Sequence, residues 1–274
     1  MIQTDKIQNQ LKQSINTGSQ GNIGIESLKN LATLFPEKTE QDKTAQFFSS
    51  VNEMLRLHQR KHDKLVTLKK AMLQKMFPQA GATTPKIRFK GFEGEWVEKI
   101  LGEVGEFNPN ETLPKIFEYV DLESVVGTEM VNHRIETRKT APSRAQRLAR
   151  QGDLFFQTVR PYQKNNYLFT LPFTNYVFST GYAQIRPFGD GSFLLGLMQR
   201  DQFVKVVLDH CTGTSYPAIN SKVLAEILVS VPTPEEQQKL GTYFRTLDEL
   251  ISKHAIQLQK LKQIKSACLE KMFV

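Results

Sequence analysis

Only two of the 274 residues are cysteine, Cys211 and Cys268. One pair supports neither a disulfide framework nor a four-ligand zinc site, and such sparse usage suits a reducing compartment, the cytoplasm. No apolar run reaches the 18 residues of a membrane-spanning helix, so no membrane role is expected. The opening residues, MIQTDKIQNQLKQ, hold no apolar stretch of a secretory signal. Phosphate-binding loops are missing as well. Nothing fits GxxxxGK followed by Ser or Thr, and Gly189-Asp190-Gly191 lacks the third glycine of a dinucleotide fingerprint. It reads as a turn before a helix. No His, Cys or Asp cluster has metal spacing, and His210-Cys211 reads as a frayed helix end rather than a nucleophile pair. Asn108-Pro109-Asn110-Glu111 lacks the second proline and the aromatic of an Asn-Pro-Pro-aromatic methylation motif, and reads as a turn. The expectation is therefore no catalytic residue, no metal and no cofactor.

What is present is positive charge. Thirty-six Lys and Arg against 28 Asp and Glu leave a net charge of +8 and a pI near 9.3, which favours a polyanionic partner such as nucleic acid. A long internal repeat is also present. Residues 23–77 and 219–273 align without a gap at an offset of 196. Ile23 falls on Ile219, Leu28 on Leu224, Pro36 on Pro232, Glu40-Gln41 on Glu236-Gln237 and Lys43 on Lys239. His58 falls on His254 and Lys75-Met76-Phe77 on Lys271-Met272-Phe273. Two copies are too few for a solenoid.

Within each copy the apolar residues step by three and four. Phe48, Val51, Leu55, His58, His62, Leu65, Lys69, Met72 and Met76 form one stripe; Phe244, Leu247, Ile251, His254, Leu258, Leu261, Lys265, Cys268 and Met272 form the other. This is the spacing of a coiled-coil seam. Each helix would run about 55–60 Å at 1.5 Å per residue and needs a partner, for which the other copy is the obvious choice. Phe48, Leu55, Leu65, Phe244, Ile251 and Leu261 are the expected pairing residues, with His58 and His254 facing each other. Thr233-Pro234-Glu235-Glu236 predicts a capped start, with Glu236 reaching back as a capping box. Leu57, Val66, Leu68 and Leu73 fall outside the seam and are expected to be exposed.

Between the helices, Gln79–Pro85 is a linker of small and turn residues. Beyond it, Asp153–Thr158, Tyr167–Leu171, Tyr176–Ser179 and Ala183–Arg186 read as strands, and Gly196–Asp209 and Ser221–Ile227 as helices. The class is α+β: one mixed domain over 79–231, flanked by long helices over 36–78 and 232–274. Residues 1–35 are a separate short segment, because Gln8–Gly24 looks like Gln202–Asn220 with a one-residue slip between Thr17-Gly18 and Thr212-Gly213.

The charge concentrates between Arg134 and Lys164, where eight Lys and Arg stand against Glu136 and Asp153. Such a concentration suits phosphate neutralisation. Inside it, Gln157, Thr158, Arg160, Tyr162 and Lys164 offer the groups that base-edge readout uses, and Arg144 and Arg147 would hold phosphates. The hydroxyl-rich loop with Thr214, Ser215 and Tyr216 is a second candidate, leading into a helix whose N–H groups could hold a phosphate. The competing reading of the basic stretch is a solvated sheet edge.

These residues resemble the DNA-specificity (S) subunit of type I restriction–modification systems. Pro85-Lys86-Ile87-Arg88-Phe89-Lys90-Gly91-Phe92, with Trp96 and Leu101-Gly102-Glu103, is similar to the opening of a target recognition domain. Gly152–Phe156 with Val159-Arg160-Pro161, Ser179–Gly181 with Arg186-Pro187, Thr212–Asn220 and Pro232–Gln237 follow in the family's order. The resemblance implies two target recognition domains alternating with two helices that pair as an antiparallel coiled-coil spacer. Each domain reads half of a bipartite site in double-stranded DNA. The subunit is non-catalytic and recruits methyltransferase (M) and restriction (R) subunits. Against that pattern, one whole domain is expected here, with 1–35 as the tail of another. Three expectations follow: a homodimer reading an interrupted palindrome, a chain complemented by another S fragment, or a remnant.

Overall fold

The computed structural model describes residues 5–13, 23–30 and 36–272. They fall into two compact units, Met1–Val66 with Glu249–Val274, and Thr67–Asp248. The helices are α1 (Asp5–Gln13), α2 (Ile25–Lys29), α3 (Lys38–Lys75), α4 (Gly191–Met198), α5 (Asp201–Asp209), α6 (Ser221–Ala225) and α7 (Pro234–Met272). The strands are β1 (Val97–Ile100), β2 (Gly105–Phe107), β3 (Ile116–Val120), β4 (Val125–Val126), β5 (Glu129–Met130) and β6 (Arg134–Thr137). They continue with β7 (Ala145–Leu148), β8 (Leu154–Gln157), β9 (Tyr167–Leu168), β10 (Tyr176–Ser179), β11 (Tyr182–Pro187) and β12 (Leu228–Val231).

The repeat is structural as well as sequential. Ile25–Lys29 shifted by 196 is Ser221–Ala225, so α2 and α6 coincide, and α3 shifted likewise covers 234–271, the span of α7 to within one residue. The helix starts share one side-chain bond. Gln41 Nε2 donates to Pro36 O at 2.8 Å, and Gln237 Nε2 to Pro232 O at 2.9 Å. The Thr17-Gly18 pair lies outside the described residues.

In the first unit, His58 Nδ1 lies 2.9 Å from His254 Nδ1. These are equivalent positions of the repeat, so α3 and α7 meet about a local two-fold axis between the two rings. Phe48, Leu55, Leu65, Ile251 and Leu261 are half-buried, and Val51 and Leu258 buried. Lys69 pairs with Asp248 in the second unit. Lys69 follows His58 while Asp248 precedes His254, the order that antiparallel helices require.

The second unit is the α+β domain. One four-stranded sheet has the order β6-β3-β10-β7 and another β2-β11-β8-β9; β1 pairs with β12 and β4 with β5. All pairs are antiparallel except β10 with β3. Phe155 of β8 stacks on Phe178 of β10 at 3.6 Å between ring centroids, joining the two sheets. Phe169, Tyr176, Tyr182 and Val120 close this core. Rings this large hold the sheets together largely by the apolar area they bury.

Several expectations need correction. The run Gly196–Asp209 is two helices, because Arg200 is extended (φ −70°, ψ 138°) and its guanidinium is drawn to Pro78 O at 2.6 Å and over the Phe77 ring; burial pushes that guanidinium down to about 10. Glu236 does not close a capping box. Its backbone N–H bonds Thr233 Oγ1 at 3.4 Å, but its carboxylate, 1% exposed, takes Arg88 in a bidentate pair at 2.7 and 2.8 Å. Leu73 is buried at 9% rather than exposed, and Phe244, expected in the helix seam, packs instead in the domain core, 5.8 Å from Phe77. Leu57, Val66 and Leu68 are exposed by 41–44%.

Candidate nucleic-acid interface

Two loops of the domain are sewn together where β8 ends. Val159 and Ala218 form a β-bridge, Arg160 N donates to Pro217 O at 2.7 Å, and Ile219 N to Thr158 O at 3.0 Å. Thr212 and Ala218 exchange backbone bonds at 2.9 and 3.0 Å, closing the second loop on itself. Pro161–Gln163 is a single 3-10 turn held between two left-handed residues, Arg160 (φ 54°, ψ 55°) and Lys164 (φ 56°, ψ 30°). Left-handed backbone is costly for side chains with a Cβ and persists only when neighbours over-determine it. Here Lys164 Nζ donates to Gln199 O at 3.0 Å and pairs with Asp201, while Gln199 Nε2 donates back to Lys164 O at 3.0 Å. The Lys164 ammonium also holds the Asp201 carboxyl below its ordinary range. The clamp leaves Tyr162 49% exposed at the apex.

The Arg160 guanidinium lies over the Tyr216 ring, 4.5 Å from its centroid, and that tyrosine is 64% exposed. Thr214 and Ser215 beside it are exposed. A guanidinium placed over an aromatic face can still turn donors outward, as bidentate readout of guanine or grip of a phosphate requires. Arg160, Tyr162, Thr214, Ser215 and Tyr216 thus come together on one surface.

Other expected residues do not reach it. Gln157 and Thr158 are 2% and 6% exposed. Gln157 Nε2 donates to Val159 O and Gln163 Oε1, its Oε1 is buried, and Thr158 Oγ1 donates to Gly181 O; both residues brace the loop from inside. Lys164 belongs to the clamp. Arg144 is exposed on the loop before β7, whereas Arg147 is half-buried with its Nε lacking a hydrogen-bond partner, and burial pushes it down. The basic stretch is also less positive than its composition, since Arg134 pairs with Asp121 and Glu136, and Arg150 with Glu111. The phosphate site expected at a helix start fails, because α6 has only five residues and Asn220 Oδ1 already takes the Lys222 N–H at 2.8 Å. The αL signature of Arg160 and Lys164, which sequence gave no way to see, is what marks this loop.

No family model matches the chain. The type I restriction enzyme HindI specificity subunit of Haemophilus influenzae is 25% identical over 194 residues, 66% of this chain. The S subunit of a type I system from M. genitalium superposes over 98% of this chain and 70% of its own, at a TM-score of 0.66 and 19% identity. A chain from a study of assembly and conformational transition in the type I system covers 98% and 68%, at 0.57 and 23%. The fold is that of a type I specificity subunit. This chain spans 41% of the length of its H. influenzae relative. The paired helices and the sheet-rich domain are the parts that the S-subunit fold accounts for. Among the described residues no helix is long and apolar enough to cross a membrane, and no group of three or more His, Cys, Asp and Glu could hold a metal ion.

Proposed function

We propose that this chain is a non-catalytic specificity subunit of a type I restriction–modification complex, reading one half of a bipartite DNA site in the cytoplasm. The observation that carries the reading is the clamped, left-handed loop that lays Arg160 over Tyr216 on an exposed edge of the domain. Arg160 reads a base edge, Tyr162 and Tyr216 supply stacking or phosphate bonds, and Thr214, Ser215 and Arg144 hold the backbone. The helix pair is the spacer that sets the gap between half-sites and carries the M and R subunits. The chemistry of adenine methylation and of cleavage belongs to those partners, and this chain needs no cofactor of its own.

Co-expression with its cognate methyltransferase subunit, followed by mapping of methylated adenines across a host genome, tests the proposal. A single bipartite motif supports it, palindromic if two copies of the chain act together and asymmetric if another polypeptide adds the second domain. Methylation that ignores sequence, or none in any combination of subunits, overturns it. A second reading, an assembly scaffold whose domain is incidental, is favoured by one observation. Met54 and Leu250, and Leu68 and Ile264, are equivalent pairs of the repeat, and all four are 39–48% exposed. They would offer a partner two related apolar stripes.

A further inference from the structure

The two copies of the repeat are covered differently at their N-terminal ends. On α7 the turn around Arg88 sits on a fixed pattern of side chains. Arg88 forks onto Glu236. Lys239 lies over the rings of Phe89 and Phe92 at 5.3 and 5.5 Å. Tyr243 meets Phe89 edge-on at 5.8 Å. The pattern is Glu-x2-Lys-x3-aromatic.

The same pattern stands on α3 as Glu40, Lys43 and Phe47, each shifted by 196. The aromatic of each copy is also set alike against the next ring, since Phe47 meets Phe48 at 5.3 Å and 80° while Tyr243 meets Phe244 at 5.3 Å and 77°. Yet Glu40, Lys43 and Phe47 are exposed, Phe47 by 39%, where Glu236 is 1% exposed. A carboxylate, an ammonium and a ring with the spacing of a docked surface are thus presented to solvent.

A second copy of this chain does not fit there. Its own Arg88 is engaged by its own Glu236. More decisively, α4 closes on α7 at Gly241, where a β-carbon would come within 2.6 Å of Asp190 Cγ, closer still to its Oδ1, and within 2.9 Å of Phe193 N. Asp190 cannot swing away cheaply, because it caps α4 by accepting the Phe193 N–H at 2.7 Å. The α3 equivalent of Gly241 is Ala45, which carries that β-carbon.

We propose that the Glu40–Lys43–Phe47 face of α3 docks a different polypeptide, one that presents an Arg-aromatic turn like Arg88-Phe89 and has no acidic residue where this domain has Asp190. The face complements that turn in charge, shape and spacing, and the proposal does not depend on how the domain reads DNA.

The test places the photo-crosslinking residue p-benzoylphenylalanine at Phe47 in the full chain, expressed with its own system in its native host. The same residue at Tyr243 is the control, and links to the Phe89 turn within the chain. The expected result at Phe47 is a link to a separate protein, mapped to a segment with an arginine beside an aromatic. With that protein purified, Glu40→Arg lowers its affinity at least tenfold, the reverse change of its arginine to glutamate restores binding, and DNA binding by the isolated chain is unchanged. A link to a second copy, to residues 1–35 of the same chain or to a segment without the arginine overturns the proposal. So does no link while the Tyr243 control works, or binding indifferent to Glu40→Arg.

Discussion

Removing Arg88 is more damaging than removing its partner, although the two form one ion pair. The Glu236 side chain is 1% exposed and that of Arg88 16%. With Arg88→Ala, a carboxylate is left buried without its cation. Such a break costs about 3–5 kcal/mol, or a fall in melting temperature of about 6–20 °C at about 2–4 °C per kcal/mol for a domain of this size. With Glu236→Ala the guanidinium keeps Gly94 O at 2.6 Å and Glu93 O at 3.2 Å, and its outer edge stays in water. The loss is then that of a charge-assisted hydrogen bond, about 1.5–3 kcal/mol. The double variant removes the stranded charge and should be more stable than Arg88→Ala alone. Trp96 is the sole tryptophan, is 3% exposed and lies 5.8 Å from Phe77 in the cluster that α7 enters through Phe244. Its fluorescence during urea unfolding therefore reports on this docking. Equal costs for the two single variants, or a double variant no better than Arg88→Ala, would refute the reasoning.

Further outcomes follow from other parts of the molecule. Gly241→Ala should destabilise the domain by about 1–3 kcal/mol through overpacking against the capped start of α4, read by the same fluorescence; a neutral effect would remove the argument from Ala45. Arg160→Ala should cost about 1–3 kcal/mol in preference for the cognate site over other DNA, measured by competition at fixed salt, and Tyr216→Ala should reduce the same preference by freeing the guanidinium. Unchanged preference in both would take this loop out of the readout. The helix pair should weaken in acid. Burial first, then His58 and the nearby Lys61, Lys253 and His62, hold the His254 imidazole below its ordinary 6.5. The unfolded chain therefore takes up the proton first, and stability present above about pH 6.5 is lost as pH falls through that value toward the folded pKa. His254→Leu should flatten the dependence in circular-dichroism melts from pH 7.5 to 5.5; an unaltered slope would contradict the assignment. Leu68→Glu should abolish co-purification of a methyltransferase subunit while DNA binding persists, and retention of both would discharge Leu68 from docking.

The long helices and the repeat were determined by the sequence itself. A period near 3.5 sustained over both copies can bury a stripe only as a helix against a partner, and related sequences at an offset of 196 give related helix starts, as the matching Gln41 and Gln237 bonds display. The strand Tyr176–Ser179 was legible for a similar local reason, a short run of apolar and aromatic residues between turns. What only the tertiary structure decided depends on partners far away in sequence. Glu236 could be a cap or half of a buried ion pair, and Arg88, 148 residues earlier, decided it. Gln157 and Arg160 are both polar residues of one basic stretch. The buried strand β8 turned one side chain inward, where it braces the loop, and the left-handed turn that follows holds the other over Tyr216. Composition records which charges a segment holds; only the fold determines which are already paired, as with Arg134, Arg150 and Lys164, and which are left for a partner.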